Sequence, residues 1–138
     1  MDLLSVARSF REALDAQKRD GVLPPHMQKF PTCCCGVISE LLGEYLAAAG
    51  VSSTYVVGKN QIASHAWLEV DDLVVDLTAD QFEGRPPVFV GLKDDWYFDW
   101  AEDSRRVARL LPNGSHCSEN KAVLREVLRR SQLPDYGI

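Results

Sequence analysis

The spacing of apolar residues changes along this chain, and that change limits the folds it can adopt. Apolar side chains within residues 3–18 recur every three or four positions, which predicts an amphipathic first helix. A second, more apolar helix is predicted to begin at Cys34 or Cys35 and to end near Ala49, with Gly50 just beyond it. The period then shortens to two residues, which is typical of strands.

The middle and the end of the chain carry the strand and turn signals. Short alternating or β-branched segments predict strands at residues 54–57, 65–70, 73–78 and 88–90, with further extended or irregular segments at 96–100 and 107–111. A last amphipathic helix has Ser118 as its expected N-cap, and Thr32 is the expected N-cap of the second helix. We therefore predict a single α+β domain over residues 1–138, in which helices pack against an antiparallel sheet.

Net charge and hydropathy restrict the class of partner. The 138 residues carry 20 acidic and 15 basic side chains, a net charge of −5, and no long basic run, so nucleic acid is not an expected partner. No segment reaches the roughly 20 apolar residues of a membrane span. The first residues lack the positive start and apolar run of a signal peptide. We therefore expect a cytoplasmic protein with no membrane association.

The placement of the four cysteines argues against a disulfide framework, because three of them are consecutive, at Cys33, Cys34 and Cys35. Structural disulfides are also rare in a reducing cytosol. A zinc site from Cys33, Cys35, His116 and Cys117 is a weaker alternative, since the separated pairs typical of structural zinc sites are missing. We expect no metal and no cofactor, and thiol reactivity becomes the leading question.

The predicted hairpin around Asp71-Asp72 places two chemically useful side chains on one face. With a two-residue turn, Val70 faces Leu73, and the alternation puts His65 and Asp76 on the same side in diagonal cross-strand positions. The opposite side is apolar throughout and forms the predicted core face. A carboxylate in that position can accept the imidazole N–H, fix its tautomer and stabilise its protonated form.

The third candidate is Cys35, at the predicted start of the second helix. Unpaired backbone N–H groups and the helix dipole stabilise a thiolate there and lower its pKa. Gly36 is expected to leave room for a substrate backbone. The prediction requires that this helix pack with Cys35 facing His65.

These residues together resemble the catalytic core of the transglutaminase-like superfamily. The shared pattern is a cysteine that opens a helix, Ser39 four residues on and Gly50 fifteen residues on, followed by the histidine strand 65–70 and the aspartate strand 73–78. The spacing to Gly50 selects Cys35 over its two neighbours. The resemblance covers about residues 30–82, with Leu77 where a proline is usual and Cys33-Cys34 where glycine and another small residue are frequent.

The resemblance implies a papain-like fold and a catalytic triad of Cys35 as nucleophile, His65 as general base and acid, and Asp76 as the group that orients the histidine. It implies acyl transfer through a thioester: hydrolysis of a peptide or other amide, by a peptidase or a deamidase, is the first interpretation. A transamidating acyltransferase and a non-catalytic binding or regulatory module on the same scaffold are the alternatives. A protein partner that supplies specificity is a further hypothesis, because the chain has few residues for a substrate domain.

Four other positions have expected supporting roles. Gln28 is a candidate oxyanion-hole donor, because papain-like enzymes often use an upstream glutamine. Trp67 lies beside the histidine and either walls the substrate cleft or packs in the core. Asp80 and Gln81 follow the aspartate strand and are expected to be turn residues that hydrogen-bond behind the site. The aromatic group at 96–100 favours core packing over a substrate platform.

Overall fold

The α+β class predicted from the change of period is confirmed by a computed structural model that describes residues 1–138. The structure has four α-helices and a five-stranded sheet. The helices are α1 (Leu3–Arg19), α2 (Cys35–Ala48), α3 (Asp95–Phe98) and α4 (Cys117–Arg130). The strands are β1 (Thr54–Lys59), β2 (Ser64–Val70), β3 (Leu73–Asp76), β4 (Phe89–Leu92) and β5 (Ala101–Val107). Of these elements, α1, α2, β1 to β4 and α4 follow the chain order of the predictions. Two 3-10 turns cover Pro25–Met27 and Ala79–Gln81.

The sheet is antiparallel throughout, in the order β4-β3-β2-β1-β5. Its β2–β3 hairpin has the predicted register, with Val70 opposite Leu73 and Leu68 opposite Val75. The turn between them has Asp71 at φ 54°, a left-handed conformation that aspartate tolerates better than most residues. The register is fixed because a shift of one residue would move the apolar side chains off the core face.

Helices α1 and α2 lie against one face of the sheet, α4 packs on these two helices, and the three helices enclose the main core with the sheet. The predicted core face of the hairpin contributes Leu68, Val70, Val75 and Leu77 to this cluster. The opposite face is covered by a smaller cluster, the aromatic cap, made of Val56, Trp67, Val74, Tyr97 and Trp100. Both faces of β2 are therefore buried, so the His65 side chain lies inside the protein. None of the helices has the length and apolar character needed to cross a membrane.

The structure corrects two of the predicted segments. Residues 95–98 form a short helix, and the last strand runs over 101–107 instead of 107–111. Every residue of β5 is exposed and five of its seven residues are polar or charged, so it has no apolar alternation for the sequence to reveal. Charged side chains are a common protection for an edge strand. The position of β5 at the edge of the sheet thus explains why apolar alternation did not predict this strand.

Both predicted N-caps are wrong. Thr32 belongs to the preceding turn, where its N–H donates to the carbonyl of Lys29, and Cys34 occupies the N-cap of α2 without a side-chain cap bond. The N-cap of α4 is His116, so Ser118 lies in the first turn of that helix. The start of α2 therefore has backbone N–H groups that no side chain of its own N-cap satisfies.

Candidate active site

The structure brings together the histidine and the carboxylate that the hairpin register predicts. His65 Nε2 lies 2.7 Å from Asp76 Oδ2, and both side chains are almost completely buried. The two residues come from adjacent strands, so their relative position is set by the β2–β3 register and the pleat. A buried carboxylate bonded to one ring nitrogen leaves the other nitrogen, Nδ1, to face the rest of the site.

Two further groups hold Asp76 in place. The backbone N–H of Thr78 donates to Oδ1 at 2.9 Å, and the Tyr97 hydroxyl donates to Oδ2 at 2.8 Å. Burial and the negative charge of Asp76 raise the pKa of Tyr97 well above its ordinary value, so this hydroxyl stays protonated and remains a donor. Tyr97 was grouped from sequence with the core aromatics, and no local signal connected it with Asp76.

Cys35 is the first residue of α2, and its thiol lies close enough to the His65 imidazole and the Ala66 backbone N–H for both groups to lower its pKa. Burial by itself raises the pKa of the Cys35 thiol. The hydrogen bond from His65, the positive charge of that ring and the Ala66 N–H act the other way, and the net result is a lowered pKa. The helix start and the hairpin therefore meet as the triad prediction requires.

The same contacts that lower the pKa of Cys35 raise the pKa of His65. Burial lowers the pKa of an imidazole, but the hydrogen bonds to Asp76 and Cys35, together with their negative charges, raise the pKa of His65 to about 9. A lowered thiol pKa beside a raised imidazole pKa favours a thiolate–imidazolium pair near neutral pH. This is the charge state in which a cysteine is a nucleophile.

The three consecutive cysteines have three different environments. Cys34 is completely buried in the main core, and burial followed by the neighbouring cysteines raises the pKa of its thiol to about 11. Cys33 is exposed and has φ 62°, in the left-handed region. Only Cys35 contacts the histidine, so the residue selected by its spacing to Gly50 is the one the fold places at the site.

Gln81 and Asp80 follow β3 and extend the site, as expected of residues behind it. The Gln81 Nε2 atom lies 3.3 Å from His65 Nδ1, the nitrogen on the side opposite the Asp76 bond. Asp80 accepts two bonds of 2.8 Å from the Arg11 guanidinium, which also donates to the Leu77 carbonyl at 2.9 Å. Arg11 thus fastens α1 to the segment that carries Gln81.

Arg11 is a residue whose role the sequence reasoning missed. Its side chain is 91% buried between α1 and the end of β3. Its spacing of four from Ala7 and three from Leu14 puts it in the buried stripe, and this signal could have identified it. A buried arginine requires partners, and the two carboxylates and two carbonyls around it supply them.

Two predicted site residues have other partners. The Gln28 amide donates to the Leu23 carbonyl within its own loop, and no hydrogen bond joins it to Cys35 or His65. The reason is the 3-10 turn just before it, which folds the glutamine back on its own segment. Trp67 is 1% exposed and packs in the aromatic cap, so its role is packing beside the histidine instead of lining an open cleft.

The aromatic cap, together with Phe82 and Trp96 packed against it, encloses His65 on the side away from the helices. Ring centroids of four aromatic residues lie 5.1–5.9 Å from the imidazole centroid: Trp67, Phe82, Trp96 and Trp100. A Cβ at Gly58 would lie 2.7 Å from Trp100 Cβ and 2.9 Å from Trp67 Cη2, so glycine is required where β1 passes under the cap. This enclosure keeps water from the His65–Asp76 bond.

Gly36 does not leave the open space that the sequence suggested. A Cβ at this position would lie 2.8 Å from the Tyr55 hydroxyl oxygen, so the tyrosine fills the space. Burial and the nearby Cys35 raise the pKa of Tyr55, and Arg106 stacks on its ring with 4.1 Å between guanidinium carbon and centroid. Tyr55 therefore forms one wall beside the thiol.

The larger surface cavities lie away from the triad. One of about 640 Å³ is bordered by α2, α4 and the C-terminal residues, and one of about 530 Å³ lies between α4 and the end of α1. Neither is lined by Cys35, His65 or Asp76. The chemistry of the side chains, and not the size of a cavity, identifies the site.

Comparison of the chain with protein-family models, with curated proteins and with solved structures finds no match. The case for a function therefore rests on the geometry above.

Proposed function

We propose that this protein is a cysteine-dependent acyl-transfer enzyme that hydrolyses an amide bond through a thioester, with Cys35, His65 and Asp76 as its triad on a papain-like, transglutaminase-like core. The single observation that carries the proposal is the position of His65. One ring nitrogen is 2.7 Å from a buried carboxylate, and the ring lies beside the Cys35 thiol and lowers its pKa. That chain of contacts is what nucleophilic catalysis by cysteine requires.

The first half-reaction forms the thioester. The Cys35 thiolate attacks the carbonyl carbon of the amide, and the C=O π pair moves to oxygen, giving a tetrahedral oxyanion. When the carbon–nitrogen bond breaks, the leaving nitrogen takes the proton from imidazolium His65, and the acyl group remains on sulfur. Asp76 stabilises the imidazolium and holds its orientation throughout, because its own position is fixed by Thr78 and Tyr97.

The second half-reaction releases the acyl group. His65, now neutral, takes a proton from water as the water oxygen attacks the thioester carbon. Collapse of the second tetrahedral intermediate breaks the carbon–sulfur bond, releases a carboxylic acid and restores the thiolate–imidazolium pair. A peptidase and a deamidase differ only in which amide enters, a main-chain bond or a side-chain carboxamide.

Two donors are proposed for the oxyanion. The first is the backbone N–H of Cys35, which lies at a helix start without a side-chain cap. The second is the amide of Gln81, whose nitrogen lies beside the His65 nitrogen that faces away from Asp76. Gln81 replaces Gln28 in this role, since the Gln28 amide is bonded to Leu23.

A polypeptide is the proposed substrate class. Small-molecule sites bury most of their ligand in a deep cavity. The larger cavities of this protein are lined by other residues, and Cys35 is only partly buried at a helix start. An extended peptide or a protein side chain can bind across such a surface with the scissile amide at the thiol. A partner protein that completes the binding surface is compatible with this arrangement.

The proposal is tested by intact-mass spectrometry of the protein after reaction with a panel of activated acyl esters and peptidyl thiol-directed probes at neutral pH. We expect a single adduct on Cys35, absent in Cys35→Ala and retained in the matched controls Cys33→Ala and Cys117→Ala. Release of the acyl group with time shows hydrolysis, and transfer to an added primary amine would show a transamidase. An adduct of equal rate on Cys33 or Cys117 would contradict the proposal. Unchanged biological activity in Cys35→Ala would support a non-catalytic module.

A further inference from the structure

A second group of ligating side chains lies at the start of α4, apart from the triad. His26, from the 3-10 turn after α1, meets His116 and Glu119 from the first turn of α4 and its N-cap. One ligand atom from each of the three lies within 4.8 Å of the other two. His26 lies 90 positions before His116 and 93 before Glu119 in the chain, which is why the sequence did not connect them.

We propose that His26, His116 and Glu119 bind a divalent transition-metal ion of the Zn²⁺ type. Two imidazoles and one carboxylate are a ligand set that zinc, cobalt and nickel accept, and three protein ligands leave a coordination position for water. None of the cysteines considered from sequence for a zinc site is needed here.

The strongest evidence is the state of His26. Its Nε2 lies 2.7 Å from Asn120 Oδ1, an oxygen that can only accept, so Nε2 carries the proton and Nδ1 carries a free lone pair. That Nδ1 atom is buried and has no hydrogen-bond partner. A buried polar atom without a partner is rare and costly in a folded protein. A metal ion at Nδ1 would satisfy it.

Asn120 then has the role that is usual behind a metal-bound histidine. Such histidines donate their other N–H to a carbonyl or carboxylate, which fixes the tautomer and the orientation of the ring. The Asn120 side chain comes from the same helix turn as Glu119, so one short segment supplies both a ligand and the group that orients another ligand.

His116 and Glu119 are already close to each other and to His26. The His116 and His26 rings are stacked, with centroids 4.0 Å apart and planes 9° apart, and His116 Nδ1 lies 3.1 Å from Glu119 Oε1. Ligand atoms about 2.1 Å from a tetrahedral ion are about 3.4 Å from each other, so atoms up to 4.8 Å apart must approach by up to about 1.4 Å. The His116 ring must also turn out of its stack on His26, because one ion cannot lie in the planes of two parallel rings. His116 and Glu119 are exposed and can make that adjustment by side-chain rotation.

Metal binding would join the loop before α2 to the start of α4. Because the ion binds the folded arrangement and not the separated residues of the unfolded chain, it should raise the melting temperature. Protons compete for the imidazole nitrogens, so binding should weaken in acid.

The test is titration of the full chain with Co²⁺ and Zn²⁺, followed by calorimetry, by the visible spectrum of bound cobalt and by thermal unfolding. We expect one site with a dissociation constant in the micromolar range or tighter. His116→Ala and Glu119→Ala should each weaken it at least tenfold, and Asn120→Ala by about 10–100-fold. His116 and Glu119 are exposed, so these variants should fold, which far-UV circular dichroism checks.

Cys35→Ser is the control for metal captured by the candidate active site. The proposed site should persist in this variant, and its cobalt spectrum should lack a thiolate charge-transfer band. No saturable binding, or binding that disappears in Cys35→Ser and persists in His116→Ala, would overturn the proposal. The readouts are affinity, spectrum and melting temperature, so its failure would leave the thioester proposal intact.

Discussion

Helices α2 and α4 begin in the same way but have different chemical surroundings. Each is 14 residues long and has a cysteine as its first residue, and each has a histidine and a carboxylate close to that end. At α2 the histidine is His65, fully buried and bonded to Asp76. At α4 it is His116, exposed and bonded to the exposed Glu119.

The difference shows that a helix start and a nearby histidine do not by themselves make a nucleophile. The carboxylate behind His65 is fixed by two further donors, and the ring is enclosed by the aromatic cap, so its orientation is determined by the fold. His116 has an exposed side chain that can rotate. We therefore propose catalysis for the first arrangement and metal binding for the second, because ligands can adjust to an ion whereas a triad must be preorganised.

The largest expected effect comes from changing the two carboxylates in parallel. Asp76→Asn should slow thioester formation by about 10³–10⁴-fold, because the amide cannot stabilise the imidazolium or fix its tautomer. Glu119→Gln should leave that rate unchanged while it weakens metal binding. The measurement is single-turnover acylation of Cys35 by mass spectrometry, with circular dichroism to check folding. Equal losses in the two variants would remove the distinction between the sites.

The next largest effect on the acylation rate is expected from replacing the side-chain amide that lies beside His65. Gln81→Ala should reduce the acylation rate by about 10²-fold, the scale expected when one oxyanion donor is lost. Asn120→Ala, the matched change at the other site, should have no effect on acylation. If Gln81→Ala left the rate within twofold of the wild type, the second donor would have to be another group, and the proposed oxyanion hole would be wrong.

Sequence reasoning predicted the hairpin and the shared face of His65 and Asp76 because both follow from local rules, whereas the choice of Cys35 came from the family resemblance. The alternation from His65 to Asp76 determines which side chains share a face, and the two-residue turn determines the register. Gly50 and the apolar stripe before it located the start of α2 to within one residue. These features depend on backbone periods that a single sequence contains.

The remaining features depend on contacts between distant segments. Tyr97 meets Asp76 across 21 positions, Arg11 meets Asp80 across 69, and His26 meets Asn120 across 94. No period encodes such pairs, because they arise when α1 and α3 pack on the sheet and α4 packs on the other helices. The exposed, charged β5 was missed for a different reason: it has no buried face to create an alternation.

A smaller effect is predicted for the titration of His65. Its pKa of about 9 depends in part on Cys35, so Cys35→Ser should lower that pKa, whereas Cys117→Ser should leave it unchanged. The measurement is the pH dependence of the histidine resonances by NMR, in which the three histidines are distinguished by variants. A His65 pKa unaffected by Cys35→Ser would mean that the thiol and the ring do not interact in solution.

The raised pKa of His65 also determines how the free energy of unfolding changes with pH. The protonated form of His65 is favoured in the folded state, so its contribution to the free energy of unfolding is fully present below the unfolded pKa of about 6.5 and is lost as pH rises through the folded pKa. The lowered pKa of Cys35 acts oppositely, adding stability at high pH. In Cys35→Ser that opposing contribution is absent, so urea unfolding should show only the alkaline loss from His65, and this loss should be smaller because the pKa of His65 is itself lower in the variant.

The smallest predicted effect is a difference in stability between glycine substitutions in the segments that precede α2 and α4. Cys33, two residues before Cys35, has a positive φ of 62°, whereas Ser115, two residues before Cys117, does not. Because glycine adopts the left-handed conformation without strain, Cys33→Gly should raise the free energy of unfolding by about 0.5–1 kcal/mol. Ser115→Gly should lower it slightly, since glycine there only increases the entropy of the unfolded chain. Urea unfolding of both variants measures the difference, and a loss of stability in Cys33→Gly would show that the thiol side chain contributes more than the strain costs.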